Sequence, residues 1–271
     1  MGKLQDKKLF LLDMDGTIYL DEDLFDGTVD FLNYVRDSGG RSLFLTNNSS
    51  RSVEKYIEKM RRLGIETSRD DYLTSVDAMI SYLHAHGPDR KFYGFGTSAF
   101  RSQLLEAGFR VTDRLEEDID CLLCGFDTEL TFQKLEDACI LLERGVDFIA
   151  ANPDWVCPTW YGYVPDCGSI CKMLETATGR TPRFIGKPQP DMVYLALQRT
   201  GYSPQDAIVI GDRIYTDIAC GIRAGIDAAL VLSGESTLQD VEKSEIKPTH
   251  IYKNIKEIYK TLAFGGKEET E

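Results

Sequence analysis

The sequence has no apolar stretch close to the length of a transmembrane helix, which argues against a membrane-spanning helix. Positive charge is also scarce: 31 Lys and Arg stand against 44 Asp and Glu, for a formal net charge of −13. Nucleic acids and anionic membranes attract basic surfaces, so neither is expected as a main partner. An anionic substrate would be repelled too, unless local cations or a metal ion offset the negative charge.

Neither an export signal nor a disulfide framework is expected. Met1-Gly2-Lys3 leads straight into the first predicted strand, so we expect no signal peptide. The seven cysteines are odd in number and scattered, which favours reduced thiols in a cytoplasm. With 271 residues, 42% hydrophobic and 28% charged, the chain fits a soluble globular protein of one large domain or two ordinary ones.

Two cysteine pairs have spacings that allow metal binding: Cys121 with Cys124, and Cys167 with Cys171. Their four thiolates together would make a zinc site. The alternative is favoured, because Cys121 and Cys124 lie in the apolar segment 119–126, which predicts a buried strand. A free cysteine in such a strand packs as a small hydrophobic residue.

Strands and helices alternate along the chain, which predicts an α/β protein with a parallel sheet. The predicted strands of the two ends are short apolar runs at 9–12, 42–45, 184–185, 207–210 and 228–232. A second alternating block begins near Lys91. We therefore predict a Rossmann-like core formed by residues 1–80 and 182–271, with a smaller α/β domain of residues 81–181 inserted between its halves.

The most informative segment, Asp13-Met14-Asp15-Gly16-Thr17, follows the first predicted strand. Ligands of open α/β sheets bind at the carboxyl ends of the strands, so both carboxylates can point into one site. One could attack a substrate while the other handles a proton. Two alternatives are a plain Asp-Gly turn and an EF-hand calcium loop. The calcium loop is disfavoured, because Gly16 comes too early and a strand precedes the segment.

Three later strand ends also carry polar loops. They are Thr46-Asn47, Lys187, and Asp212 with Asp217. The carboxyl ends of parallel strands all lie at one edge of the sheet, so these side chains are expected to lie close to the aspartates of the first loop. The set contains a nucleophile, donors for phosphate oxygens, a lysine and carboxylates for a metal ion, as phosphoryl transfer requires. Taken singly, Thr46-Asn47 and Asp217 could be helix caps, and Lys187 an ordinary loop residue.

A metal ion is expected at this edge. Four clustered aspartates repel one another strongly, and a bound Mg²⁺ ion would offset their negative charge. Mg²⁺ fits better than Zn²⁺, because the ligands are all oxygens. The histidines lie away from every motif and are expected at the surface or in packing: His84, His86 and His250.

In combination, these motifs resemble the haloacid dehalogenase superfamily of phosphatases. The resemblance is closest to its NagD-like and 4-nitrophenyl-phosphatase-like branch, which has a large inserted α/β cap, and it covers nearly the whole chain. The motifs that carry it are segments 12–17, 45–49, 186–190 and 211–217. A dinucleotide-binding domain is disfavoured, because no G-x-G-x-x-G follows the first strand.

The resemblance implies catalytic roles for the first loop and a metal site beside it. Asp13 would attack the phosphate and carry an aspartyl-phosphate, while Asp15 would act as general acid and then general base. Asp13, Asp212 and the backbone carbonyl of Asp15 would hold Mg²⁺. Asp217 would act from close by, as a metal ligand, a water anchor or a partner of Lys187.

The resemblance also implies how substrate would be bound. Thr46 and Asn47 would hold the phosphate oxygens, and Lys187 would neutralise charge on the nucleophile and the phosphate. Asp154, in the cap loop Asn152-Pro153-Asp154, would contact the leaving group. For Asp154, capping of a helix is an equally good interpretation.

The implied function is a cytoplasmic, Mg²⁺-dependent phosphatase of small organic phosphate monoesters, such as sugar phosphates, nucleotides or 4-nitrophenyl phosphate. A homodimer formed through the cap is a further implication. A phosphomutase or phosphotransferase, which passes the phosphoryl group on, is an alternative. A non-catalytic protein that binds a phosphorylated metabolite is disfavoured, because Asp13 and Asp15 are both present.

Overall fold

A computed structural model of the protein describes residues 2–159 and 161–265. The strands are β1 (Leu9–Leu12), β2 (Tyr19–Leu20), β3 (Asp23–Leu24), β4 (Arg41–Thr46), β5 (Tyr72–Thr74), β6 (Lys91–Phe95), β7 (Arg110–Thr112), β8 (Cys121–Cys124), β9 (Asp147–Ala150), β10 (Val156–Thr159), β11 (Gly162–Pro165), β12 (Arg183–Phe184), β13 (Ala207–Gly211), β14 (Asp227–Val231) and β15 (His250–Tyr252). The helices are α1 (Thr28–Asp37), α2 (Val53–Arg62), α3 (Ser75–His86), α4 (Ser98–Glu106), α5 (Phe132–Glu143), α6 (Cys167–Thr178), α7 (Asp191–Thr200), α8 (Ala219–Arg223), α9 (Leu238–Lys243) and α10 (Ile255–Phe264). A π-helical turn, Ile214–Ile218, leads into α8.

The chain divides into two compact units, each built around its own sheet. The first unit comprises Met1–Thr46, Tyr56–Leu73 and Lys187–Glu271, and the second comprises Asn47–Lys55 and Thr74–Gly186. Within the described ranges, no helix combines the length and the apolar character needed to cross a bilayer. The predicted α/β class with a parallel core sheet is confirmed.

The sheet of the first unit has the strand order β15-β14-β13-β1-β4-β5. Strand β1 lies between β13 and β4 and runs parallel to both, with Leu9 opposite Ala207 on one side and Arg41 on the other. All four residues of β1 are buried, which explains its continuous apolar sequence. From β1 the chain continues to β4 on one side and reaches β13 on the other. The carboxyl end of β1 is therefore a switch point, where open α/β sheets bind ligands.

The second unit contains a parallel sheet with the order β12-β9-β8-β6-β7 and an antiparallel hairpin of β10 and β11. One face of this sheet packs against α5 and α6 in a core of buried apolar residues. Strand β8 is buried along its whole length, as its apolar sequence predicts.

One strand assignment made from the sequence is wrong. Residues 184–185 were expected to be a strand of the core sheet, directly before Lys187. The strand there, β12, instead pairs with β9 in the second sheet, with Arg183 opposite Ile149. A two-residue strand carries too little pattern to specify its partner, so its neighbours in sequence were a poor guide.

Helix α3, which the sequence analysis did not predict, begins directly after β5. Thr74 is its N-cap and forms a reciprocal capping box with Asp77. Thr-x-x-Asp is a weaker signal than Thr-x-x-Glu, and much of the helix is buried and apolar rather than amphipathic. The spacing of apolar residues therefore does not show the periodicity by which an amphipathic helix is predicted.

Candidate active site

Asp13 is the first residue after β1 and lies at the carboxyl edge of the first sheet. Its backbone N–H donates to the carbonyl of Ile210 at 2.8 Å, which continues the pairing of β1 with β13 by one residue. The side chain keeps 17% of its surface exposed, although it follows a fully buried strand. The geometry therefore presents a carboxylate on a rigid support within reach of solvent.

Lys187 joins two of the predicted carboxylates. Its Nζ lies 2.5 Å from Asp13 Oδ1 and 2.7 Å from Asp217 Oδ1, and it is 3.4 Å from the carbonyl oxygen of Leu45. Only 3% of Lys187 is exposed. Burial disfavours the charged amine, but the charges of Asp13 and Asp217 outweigh it and raise the pKa of Lys187. The lysine is thus a permanent buried cation between two carboxylates.

Asp212 and Asp217 follow β13, and backbone N–H groups hold one oxygen of each. Asp212 Oδ2 accepts from Glu235 at 2.7 Å, and Asp217 Oδ2 accepts from Arg213 at 3.1 Å. Burial and the charge of Asp217 raise the pKa of Asp212 to about 6. Burial likewise raises the pKa of Asp13, with further contributions from Asp217 and Asp212 that Lys187 opposes. The cluster carries more negative charge than Lys187 alone can offset.

The arrangement fits a hard divalent cation. Carboxylate oxygens of Asp13, Asp212 and Asp217 all lie within 4.8 Å of one another. Asp212 Oδ1 is buried and has no hydrogen-bond partner in the described part of the chain. An unpaired buried carboxylate oxygen is costly, and oxygen donors of this kind are the ligands that Mg²⁺ and Ca²⁺ take.

Glycines allow the backbone to approach these carboxylates. Gly16 has a φ of +85°, and a Cβ added there would lie 2.6 Å from Asp212 Oδ2. A Cβ at Gly234 would collide with the same oxygen, and one at Gly211 would collide with Asp217. The backbone at these three positions can therefore approach Asp212 and Asp217 closely only because each position is a glycine.

Asp15 and Thr46 lie at the same edge of the first sheet. Asp15 is exposed, two residues beyond Asp13, and its backbone forms an isolated bridge with Tyr19. Thr46 is the last residue of β4, the strand beside β1, and it is partly exposed. Helix α2 begins only at Val53, so neither Thr46 nor Asn47 is its N-cap.

Asn47 and Asp154 contact each other within the second unit. Asn47 Nδ2 donates to Asp154 Oδ2 at 2.9 Å, and Asn152 Nδ2 donates to the same oxygen at 2.9 Å. Asn152 Nδ2 also donates to Asp166 Oδ1 at 3.1 Å. Asp166, not Asp154, is the N-cap of α6, so the capping interpretation of Asp154 is wrong for this helix.

The sequence analysis assigned no role to several residues that support these groups. In the first unit, the loop after β14 supplies the Glu235 N–H that holds Asp212, and Ser233 Oγ donates to the carbonyl of Gly16 at 2.7 Å. In the second unit, Asn152 and Asp166 form the network beside Asp154. The Ser233-Gly234 strand end was a usable signal, and so was the position of Asp166 directly before a helix, where Asp is a preferred N-cap.

Comparison with known proteins identifies the family. Two family models match the chain: haloacid dehalogenase-like hydrolase over residues 10–110, and HAD-hydrolase-like over residues 184–258. An acid sugar phosphatase of Staphylococcus aureus is 34% identical over 250 residues, which cover 92% of this chain and 96% of that protein. The chain belongs to the haloacid dehalogenase-like hydrolases. The two matched segments contain Asp13 and Asp15, and Lys187, Asp212 and Asp217, respectively.

Solved structures of this family share the fold over nearly the whole chain. A 4-nitrophenylphosphatase from Thermotoga maritima is 37% identical with a TM-score of 0.91, covering 96% of this chain and 98% of that one. A glycerol phosphate phosphatase from Mycobacterium tuberculosis, solved in complex with magnesium, is 30% identical with a TM-score of 0.89, covering 97% and 80%. The predicted family is confirmed: the chain is a NagD-like phosphatase of the haloacid dehalogenase type.

Proposed function

We propose that the chain is a Mg²⁺-dependent phosphomonoesterase that hydrolyses small organic phosphate esters through an aspartyl-phosphate on Asp13. The observation that carries the proposal is the buried cluster at the carboxyl end of β1. There Lys187 bridges Asp13 and Asp217, with Asp212 beside them. The nucleophile, the lysine and the acidic donor set of phosphoryl transfer lie together in the first unit.

The first step transfers the phosphoryl group to Asp13. A carboxylate oxygen of Asp13 forms a bond to phosphorus as the bond from phosphorus to the ester oxygen breaks, and Asp15 donates a proton to that leaving oxygen. Lys187 favours the ionised form of Asp13 and offsets charge on the transferred group. In the second step Asp15 takes a proton from water, which attacks phosphorus and releases phosphate from Asp13.

Asp13, Asp212 and the backbone carbonyl of Asp15 would hold the metal ion. When bound, Mg²⁺ supplies positive charge for the phosphate oxygens and for the clustered carboxylates. The buried Asp212 Oδ1 supports this assignment, because it has no protein partner among the described residues. Asp217 is better suited to a supporting role, since its two oxygens already accept from Lys187 and Arg213.

We also propose that the inserted domain predicted at residues 81–181 is a cap that selects the substrate. Asp154 is the residue we assign to the leaving group, with Asn47 and Thr46 on the phosphate oxygens. Two amide groups fix one oxygen of the Asp154 carboxylate, which orients the side chain. A fixed carboxylate accepts hydrogen bonds from hydroxyl groups, which favours sugar or polyol phosphates over apolar esters. The named substrates of the sugar and glycerol phosphate phosphatases above support the same class.

A phosphate-release screen tests this function. The chain should release inorganic phosphate from sugar and polyol phosphates and from 4-nitrophenyl phosphate with Mg²⁺, and release should stop with EDTA. Asp154→Ala should raise KM for polyol phosphates by about 10-fold more than KM for 4-nitrophenyl phosphate, because only the former offers hydroxyls. Equal effects on both would reject the role of Asp154. Phosphoryl transfer to a second substrate without phosphate release would indicate a mutase, and binding without turnover would indicate a sensor.

Mg²⁺ should stabilise the fold more at pH 7 than at pH 5. The pKa of about 6 for Asp212 lies above the unfolded value, so the folded chain retains a proton that the unfolded chain loses between about pH 4 and pH 6. Without metal, stability from this group therefore falls as pH rises through that window, by about 3 kcal/mol at most. Mg²⁺ binds the ionised form of Asp212 and therefore restores the stability that is lost as pH rises.

Thermal unfolding with Mg²⁺ and with EDTA at both pH values measures this effect. Asp212→Asn, which removes this titrating carboxylate, is the control and should reduce the pH dependence of the Mg²⁺ shift in Tm. A Mg²⁺ shift of equal size at pH 5 and pH 7 in the unmodified chain would contradict the assignment.

A further inference from the structure

Three of the seven cysteines form a cluster in the second unit, and none of them has a role in the proposed reaction. Cys124 ends β8, while Cys167 is the first residue of α6 and Cys171 lies one turn further along. Their sulphur atoms all lie within 4.8 Å of one another, and Cys167 Sγ is 4.0 Å from Cys171 Sγ. Each residue is at most 2% exposed.

The fourth cysteine considered from the sequence is not part of this cluster. Cys121 lies in β8, three residues before Cys124, so the alternation of a strand turns its side chain to the opposite face. The four-thiolate zinc site is therefore ruled out. Among the described residues, the group of mutually close ligand atoms contains no His, Asp or Glu and no further cysteine.

The spacing of the sulphur atoms matches a three-coordinate metal. In a trigonal plane, the distance between two ligands is √3 times the metal–ligand bond. The 4.0 Å separation of Cys167 Sγ and Cys171 Sγ thus corresponds to a bond of about 2.3 Å, the length of metal–thiolate bonds. Cys124 Sγ lies within 4.8 Å of both of these atoms and can supply the third ligand.

The number and type of ligands select the ion. Thiolates prefer soft ions such as Cu(I) and Zn²⁺. Structural Zn²⁺ sites are almost always closed by four ligands, whereas Cu(I) accepts three. The hard cations Mg²⁺ and Ca²⁺ take oxygen ligands and have none in this cluster. Cu(I) is therefore the ion that suits three buried sulphur atoms.

The surroundings of Cys167 favour a negative ligand. Its position at the start of a 12-residue helix places it at the positive end of the helix dipole. An ion at this position would join the end of β8 to the start of α6.

We propose that Cys124, Cys167 and Cys171 bind one Cu(I) ion in trigonal thiolate coordination, and that this ion fastens α6 to the sheet of the second unit. The proposal is independent of the phosphatase function, because none of the three cysteines takes part in the reaction described above.

Competition with a chromogenic Cu(I) chelator under anaerobic, reducing conditions tests the site on the full chain. The protein should withdraw one equivalent of Cu(I), and X-ray absorption should show three sulphur neighbours at about 2.3 Å. Cys171→Ala should weaken binding by roughly 100-fold or more, because it removes a direct ligand. Cys121→Ala is the matched control: it removes a buried cysteine from the same strand as Cys124 and should leave affinity unchanged.

Two results would overturn the proposal. One is a Cys171→Ala protein that binds Cu(I) as tightly as the Cys121→Ala protein. The other is an unmodified chain that fails to compete with the chelator, or whose bound copper has nitrogen or oxygen neighbours. The absorption measurement needs no variant, so the proposal stays testable even if a cysteine substitution prevents folding. Phosphate release is not a readout here, so failure would leave the proposed reaction untouched.

Discussion

Asp13→Asn is expected to abolish turnover, with kcat/KM for 4-nitrophenyl phosphate falling by a factor on the order of 10⁴ or more. The substitution keeps the shape of the side chain but replaces the attacking oxygens with an amide, which is a very weak nucleophile. Folding should be unaffected, because Lys187 retains Asp217 as its partner at 2.7 Å. Thermal unfolding measures the stability of the variant, which should not decrease, since the substitution removes one of three clustered negative charges.

Two further variants make this result specific. Asp30→Asn removes one negative charge from an exposed position on α1 and should retain full activity. Asp15→Asn should be impaired more on alkyl phosphates than on 4-nitrophenyl phosphate, because the nitrophenolate leaves without a proton. In an acid-quenched reaction, labelled phosphate should remain on the unmodified protein and be missing from Asp13→Asn. Residual activity above about one hundredth, or label retained by Asp13→Asn, would assign the nucleophile elsewhere.

Much of the first unit could be predicted from the sequence, because its strands are short apolar runs that end at polar loops. β1 and β13 are buried on both faces, so their composition alone identified them as central parallel strands. A parallel sheet brings its carboxyl ends to one edge, and that rule placed Asp13 beside Asp212 although 199 positions separate them. The same rule does not account for the contact between Lys187 and Asp13, because the strand before Lys187 belongs to the second sheet.

The support of the site could not be predicted, because it depends on contacts between distant segments. The Glu235 N–H that holds Asp212 comes from a backbone group, which has no sequence signature. Asp166, which the sequence analysis did not consider, is the N-cap of α6 and accepts a hydrogen bond from Asn152. The cysteines show the same limit: a CxxC spacing suggested a pair, yet in a strand the two side chains point to opposite faces. Spacing identifies a ligand pair only when the local backbone is known.

Lys187→Met is expected to lose both activity and stability. Phosphate release should fall by about 10²–10³-fold, because the charge that offsets nucleophile and phosphate is gone. The variant also leaves Asp13 and the almost fully buried Asp217 without their shared cation, and removing one partner of a buried ion pair costs about 3–5 kcal/mol. The loss should be largest at pH 7 and smaller at pH 5, because protonation neutralises carboxylates whose charges are unpaired. Chemical denaturation at both pH values, in EDTA, measures it.

A second buried lysine separates the two effects. Lys7 precedes β1, at the opposite end of the strand from Asp13, and its Nζ lies 2.7 Å from Asp227 Oδ2 with the lysine side chain 2% exposed. Lys7→Met should therefore destabilise the fold and leave kcat unchanged. Adding Asp217→Asn to Lys187→Met should recover part of the stability but none of the activity, since it removes an unpaired charge without restoring the cation. If the double variant regained turnover, or if Lys7→Met lost kcat as strongly as Lys187→Met, Lys187 would be a structural residue and not part of the reaction.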